Sequence, residues 1–216
     1  FRLMEDHVKP IVETAKHAGL KRDEIGRYLK ARGAEYRNQY IASINPKFPD
    51  GGSGMLTKDA RKILKDVADG PAEKRAALEK IADLFAAMNK ERTSLLVESG
   101  RYTPEAIEAW ERAYPFYVPY RGVEGDPDPD MAAAAAGSRT GRGFLAGRKG
   151  ERAATGRSSE AFDPLPMAIA MAKATIVQAE KNTIRQAALN LAQEINDPSV
   201  LQVNPRKRQA FMRTLT

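Results

Sequence analysis

The stretch "DEIGRYLKARGAEYRNQYIASINPKFPDGGSGMLTKDARKILKDVADG" spans residues 23–70, and the fold turns on how it is read. Its first half carries apolar and small residues at helical spacing, with Asp23 and Glu24 where negative charge favours a helix start and Asn45-Pro46 where a helix must close. That predicts a helix from about Asp23 to Ile44. Gly33 in its middle is worth roughly 1 kcal/mol less than Ala, so either a neighbouring backbone packs close there or the helix is locally weak. Thr57 is placed to cap a second, shorter helix that Gly70 ends. Between them lies "PKFPDGGSGM", residues 46–55, for which a phosphate cradle, a metal turn and a plain connector all come into question. A phosphate loop needs a Gly-Lys-Ser/Thr triplet after a strand. This turn follows a helix and has no such triplet, although the N–H groups of Gly51 to Gly54 could form a small anion nest. Turn chemistry favours a tight connector that folds one helix back on the other.

Outward from this pair the same logic repeats. Val8, Ile11, Val12, Ala15 and Ala18 recur at helical spacing between Leu3 and Leu20, with Gly19 as a stop and a kink or a start at Pro10. Pro71 opens a long helix whose inner face reads Ala77, Leu78, Ile81, Phe85, Met88 and Leu95, closed by Gly100. Thr103 and Pro104 open another, with Ile107, Trp110 and Ala113 on its buried side. "FYVPY", 116–120, is extended, and Pro119 restricts it to a sheet edge or a tether. Order returns at Asp163, where Pro164 and Pro166 lead into a helix reaching about Ile195. Its expected inner stripe is Ile169, Ala172, Ile176, Ile184, Ala187, Leu191 and Ile195.

These elements predict an all-α protein: an irregular bundle of about six helices, with a short extended segment near 116–120 and a long basic Gly-rich loop. The organisation reads as an N-terminal helical module at 1–121 and an acidic-then-basic linker at 122–160. A C-terminal long helix and basic tail, 161–216, would pack on the module. Composition agrees. Of 216 residues 42% are apolar and only 7% aromatic, which suits a core of Leu, Ile, Ala and Met between helices. With no Cys, neither a disulfide framework nor a thiolate metal site is available. No apolar run approaches the ~20 residues of a membrane span, and no stable span is expected. The chain opens on Phe1, which is read as a piece of a longer polypeptide.

The net charge is +7, from 35 Lys and Arg against 28 Asp and Glu. Residues 137–157 concentrate it, with six Gly and six basic residues against one acid. Arg139, Arg142, Arg148, Lys149, Arg152 and Arg157 on such a backbone are the candidate nucleic-acid contacts, with Phe144 available to stack. The same arginines could instead pair with the protein's own acids. Asp126, Asp128 and Asp130 alternate like the opening of a calcium loop, but Met131 and Gly137 stand where Gly and Glu are required, and a solvated acidic turn is the better reading. His7 and His17 are too far apart on one helix to share a metal, and Glu35, Glu105 and Glu108 have no catalytic company. No nucleophile–His–acid order, metal motif or paired-carboxylate motif stands out; no catalytic residue, metal or cofactor is expected.

Residues 28–55 resemble a pattern in very large polyvalent proteins of bacteriophages and conjugative elements, including giant internal virion proteins carried into a host with incoming DNA. Tyr28, Leu29, Ala31, Arg32, Arg37, Asn38, Asn45, Pro46, Pro49 and Asp50 through Met55 carry the resemblance. "ESGRYTPEAIEAWERAYPFYVPYRG" and "GRKGERAATGRSSEAFDPLPMAIA" are similar to later parts of the same succession, in the same order. Gly33 and Tyr120 depart from it, standing where His and Leu are usual. The resemblance implies a non-catalytic structural and interaction module of a large internal virion protein, ejected with the genome. The alternative is a DNA-binding accessory that protects incoming DNA from restriction. Implied partners are other parts of the same polypeptide, other virion and ejection proteins, DNA, and a second copy of the chain. The implied location is the virion interior, then the host. It gives Tyr28, Arg32, Arg37, Asn38, Asp50, Gly51, Gly52 and Gly54 a structural role, with Asp50 accepting charge-assisted hydrogen bonds from Arg37.

Overall fold

In a computed structural model, residues 2–121 and 156–195 are described. Leu3–Val8 forms a π-helical turn that runs into α1, Lys9–His17. Pro10 explains the widening, since it has no N–H to return to the preceding turn. Then come α2, Arg22–Ile44, α3, Thr57–Ala68, α4, Ala72–Glu98, α5, Pro104–Ala113, and α6, Pro164–Ile195. The described residues are all-helical, joined by extended segments, and six helices match the sequence reading. No helix among them is long and apolar enough to cross a membrane. The expected basic loop lies mostly at 122–155, outside the described residues.

One buried cluster gathers Leu3 and Ile11 with Tyr28 and Leu29 of α2, Ile81, Phe85 and Met88 of α4, Phe116 and Val118, and Ala168 and Ala172 of α6. The C-terminal helix therefore shares the core of the N-terminal module. The second described segment begins at residue 156, ahead of the expected Asp163. Arg157 N–H donates to Gly52 O at 3.0 Å, and Lys30 Nζ reaches Glu160 at 2.5 Å and Ala161 O at 3.2 Å. Phe162 N–H donates to Arg121 O at 2.7 Å, so Arg121, where the first described segment ends, lies beside the second.

The close backbone approach anticipated at Gly33 is made by the 116–120 segment. A Cβ there would sit 2.8 Å from both Tyr120 Oη and Val118 Cγ2, and 2.9 Å from Phe116 O. Tyr120 Oη donates to Lys30 O at 2.6 Å, which ties the tether across α2. Gly33 and Tyr120 are thus neighbours across the tether.

Several faces differ from their predicted register. On α4 it is Leu96, 3% exposed, that is buried, and Asn89, Arg92 and Thr93 share that inner face. In α5 no residue is fully buried and Ala113 is exposed, because this helix docks through Trp110 rather than along a stripe. In α6 the inner face is Ala168, Met171, Ala172, Thr175, Ala179 and Asn182, whereas Ile184, Leu191 and Ile195 are exposed. The cause is polar: Asn182 and Gln186 both donate to Ser99 O, at 2.7 and 3.2 Å, and this fixes the helix rotation where α4 ends.

Candidate interaction site

The connector at 46–55 is a built junction between α2, α3 and the returning chain. Asn38 lies on the inner face of α2 between Ala34 and Ile41 and is 2% exposed. Its Nδ2 faces three acceptors: Asp50 Oδ1 at 3.0 Å, Met55 O at 2.9 Å and Thr57 Oγ1 at 3.0 Å. Its Oδ1 accepts from the buried Ser53 N–H at 2.8 Å. Asp50 accepts from Gly51 N–H at 2.7 Å and from Thr57, through Oγ1 at 2.6 Å and N–H at 3.1 Å.

Thr57 is therefore not the cap of α3. Leu56 occupies that position without a side-chain bond, and the orphan N–H at the helix start is satisfied by Asp50 seven residues upstream. Burial pushes the Asp50 carboxyl up. The Thr57 hydroxyl, the Gly51 and Thr57 N–H groups and the Asn38 amide together bring it below its ordinary value.

The glycines serve this packing. Gly51 and Gly54 have φ of +75° and +86°, the left-handed region that side chains avoid. A Cβ on Gly54 would collide with Ser159 O, and one on Gly52 with Ile41. The backbone N–H groups of Gly54 and Ser53 are directed to Gly51 O and Asn38. With the Gly51 N–H on Asp50, the anion-nest alternative thus loses three of its four donors to the fold.

Arg37 does not meet Asp50, contrary to expectation. Its guanidinium lies 4.9 Å from the Tyr114 ring centre and 5.5 Å from that of Tyr120, and Nη2 points to Val118 O at 3.5 Å. Burial pushes the Tyr114 phenol up to about 12, against the lowering effect of Arg37, and pushes the Tyr120 phenol up as well. Arg92, 1% exposed, lies 5.6 Å from the centres of both Trp110 and Tyr117. Two arginines on facing helices thus hold one aromatic group, Trp110, Tyr114, Tyr117 and Tyr120, by cation–π contact. Sequence reasoning missed Arg92. Its signal was a cation at helical spacing within the apolar face of α4.

Arg32 belongs to a third place, a cleft of about 510 Å³ between α2 and α3; Tyr28 does not line it and is buried in the core. Arg32 lies 4.9 Å from the Phe116 ring centre and 5.9 Å from that of Tyr28, whose hydroxyl it meets at 3.3 Å. Across the mouth, Arg61 donates to both oxygens of Glu35, at 2.5 and 3.2 Å, and the Arg61 bond holds the Glu35 carboxyl below its usual range. Glu35, read as unaccompanied, is half of a fork that joins the two helices.

Of the six candidate nucleic-acid contacts, Arg139, Arg142, Arg148, Lys149 and Arg152 lie outside the described residues. Arg157 is corrected: it is 7% exposed, with its backbone on the glycine turn, so it belongs to the fold rather than to an open basic surface. The acidic alternation at 126–130 also lies outside the described residues. His7 is buried and meets Glu91 at 2.5 Å, whereas His17 is exposed. Among the described residues, no three His, Asp or Glu side chains are grouped to hold a metal. Compared with family models, curated proteins and solved structures, the chain finds no match.

Proposed function

We propose that this chain is a structural and interaction module of a large internal virion protein of a phage, delivered into the host with the genome and without chemistry of its own. One observation supports the reading. The residues that carry the resemblance, Asn38 and Asp50 through Met55, direct their polar groups at each other and at Thr57, locking α2, α3 and the returning chain together. A motif consumed in this way sets shape and presents surfaces to neighbours. The burial of Arg157 weighs against the DNA-protecting alternative at the one basic candidate that is described.

The experiment is quantitative mass spectrometry of particles of the phage that encodes the chain, before and after DNA release. Its peptides are expected in full particles and depleted from emptied ones. Retention in emptied shells, or absence from full particles, overturns the proposal.

A further inference from the structure

The cleft between α2 and α3 has a chemistry of its own. Its floor is apolar: Ala31 and Ala60 are each 1% exposed, and Leu64 and Phe116 line it beside them. Small residues bring the two helices together there, and the space opens above them. Arg32 stands at the wall, its guanidinium 4.9 Å from the Phe116 ring centre and one of its N–H groups on the Tyr28 hydroxyl. Its described hydrogen bond is to a neutral phenol, and no carboxylate is paired with it among the described residues. A guanidinium restrained by a ring and a phenol has little freedom to turn, and its remaining N–H donors suit a carboxylate.

The helical wheel of α3 adds a bias of charge. Arg61, Lys65 and Lys58 lie on the flank nearest the cleft, and Asp59 and Asp66 on the far flank. Arg61 is neutralised by Glu35; Lys58 and Lys65 are exposed. With Glu35 and Arg61 paired, Arg32 gives the lining its positive charge, and Lys58 and Lys65 add to it from beside the cleft. A polynucleotide would need open ring faces for its bases. Here the Phe116 ring is buried and already covered by Arg32, which leaves the Tyr36 ring alone exposed among the described lining residues.

We propose that this cleft docks an acidic peptide segment of a partner, its carboxylate on Arg32 and an adjacent apolar side chain against Phe116, Ala31 and Leu64. The proposal rests on the interaction-module reading and names the kind of partner it takes.

The test uses the full chain and a short fluorescein-labelled peptide of alternating Leu and Asp, followed by anisotropy. A Leu/Lys peptide and a single-stranded oligothymidylate serve as comparisons. Saturable binding of the acidic peptide is expected, with R32Q weakening it roughly tenfold, the loss of one charge-assisted contact. Lys65→Glu, beside the cleft, is expected to weaken it about threefold, through charge alone. Amide shifts in an NMR titration are expected to centre on Ala31, Ala60 and Phe116. Should R32Q fail to fold, Lys65→Glu and the shift map carry the decision.

No saturation by the acidic peptide at millimolar concentration overturns the proposal, as does equal binding of the Leu/Lys peptide or shifts centred elsewhere. Oligothymidylate binding that R32Q abolishes replaces it with a nucleic-acid site. Failure here leaves the particle measurement to stand by itself, and failure there leaves peptide binding by the isolated chain intact.

Discussion

Replacing Asn38 with Ala tests the junction where it is most concentrated. The substitution strips the buried Ser53 N–H of its acceptor at 2.8 Å and Met55 O of one of its two donors. An orphaned buried N–H costs about 1–3 kcal/mol, and a bond to a partner that retains other donors contributes about 1 kcal/mol net. Asp50 keeps Thr57 and Gly51, so its loss stays at the lower figure. Together these give about 3–5 kcal/mol, a large share of the ~5–15 kcal/mol of an ordinary domain. With a urea slope of about 2 kcal/mol per molar, the midpoint falls by roughly 1.5–2.5 M.

Asn38→Asp sharpens the test, because it preserves shape and the acceptor for Ser53 while setting a second carboxylate beside Asp50. Repulsion raises the folded pKa of the pair above the unfolded value of about 3.9. Its stability is then intact below that value and is lost as pH rises through the raised one. Asn38→Asp should therefore approach wild type near pH 4 and fall furthest behind at pH 7, in urea titrations at both values. If Asn38→Ala shifts stability by less than about 0.5 kcal/mol, the range of ordinary surface changes, or the aspartate variant shows no pH trend, the hydrogen-bond account of this turn is wrong.

Three further outcomes follow from the same geometry. A double-mutant cycle between Arg37 and Asp50 should show coupling near zero, while one between Asn38 and Asp50 should show about 1 kcal/mol by chemical denaturation. Gly33→Ala gains helix propensity, yet it should destabilise by about 1–3 kcal/mol through overpacking against Tyr120 and Val118. That loss should shrink when Tyr120→Phe removes the hydroxyl, and an unchanged loss would place the clash elsewhere. Arg92→Lys exchanges a planar cation between two rings for a compact one, and should shift the emission of Trp110, the chain's single tryptophan, with a loss of about 1–2 kcal/mol. Unaltered emission with full stability would show that the stacking contributes nothing.

The helices were legible because their signals are local: acidic first turns, Pro at helix starts, glycine stops and helical spacing of aliphatic residues act within a few residues. Even Gly33 announced a close neighbour, since an unfavourable residue inside a helix calls for a reason in space. What the sequence could not reveal was which polar residues turn inward. Asn38, Arg37, Asn89 and Arg92 occupy inner faces of α2 and α4; the 50–57 connector supplies the partners of Asn38, and the 110–120 segment meets the other three, 81 residues along the chain for Arg37 and Val118. The same limit misled the reading of α6, where hydropathy alone favoured Ile184 and Leu191 for the interior. Two amides bound to a single carbonyl, Ser99 O, rotate the helix otherwise. A buried acceptor outweighs an exposed isoleucine here, because leaving the acceptor unmet costs about 1–3 kcal/mol, while about half of the Ile184 side chain is covered even in the observed rotation. It is also why Asp50 chose Thr57 over Arg37. The carboxylate ends a helix that begins beside it, whereas the guanidinium is held on the far side of α2 by two rings that only the folded tether supplies.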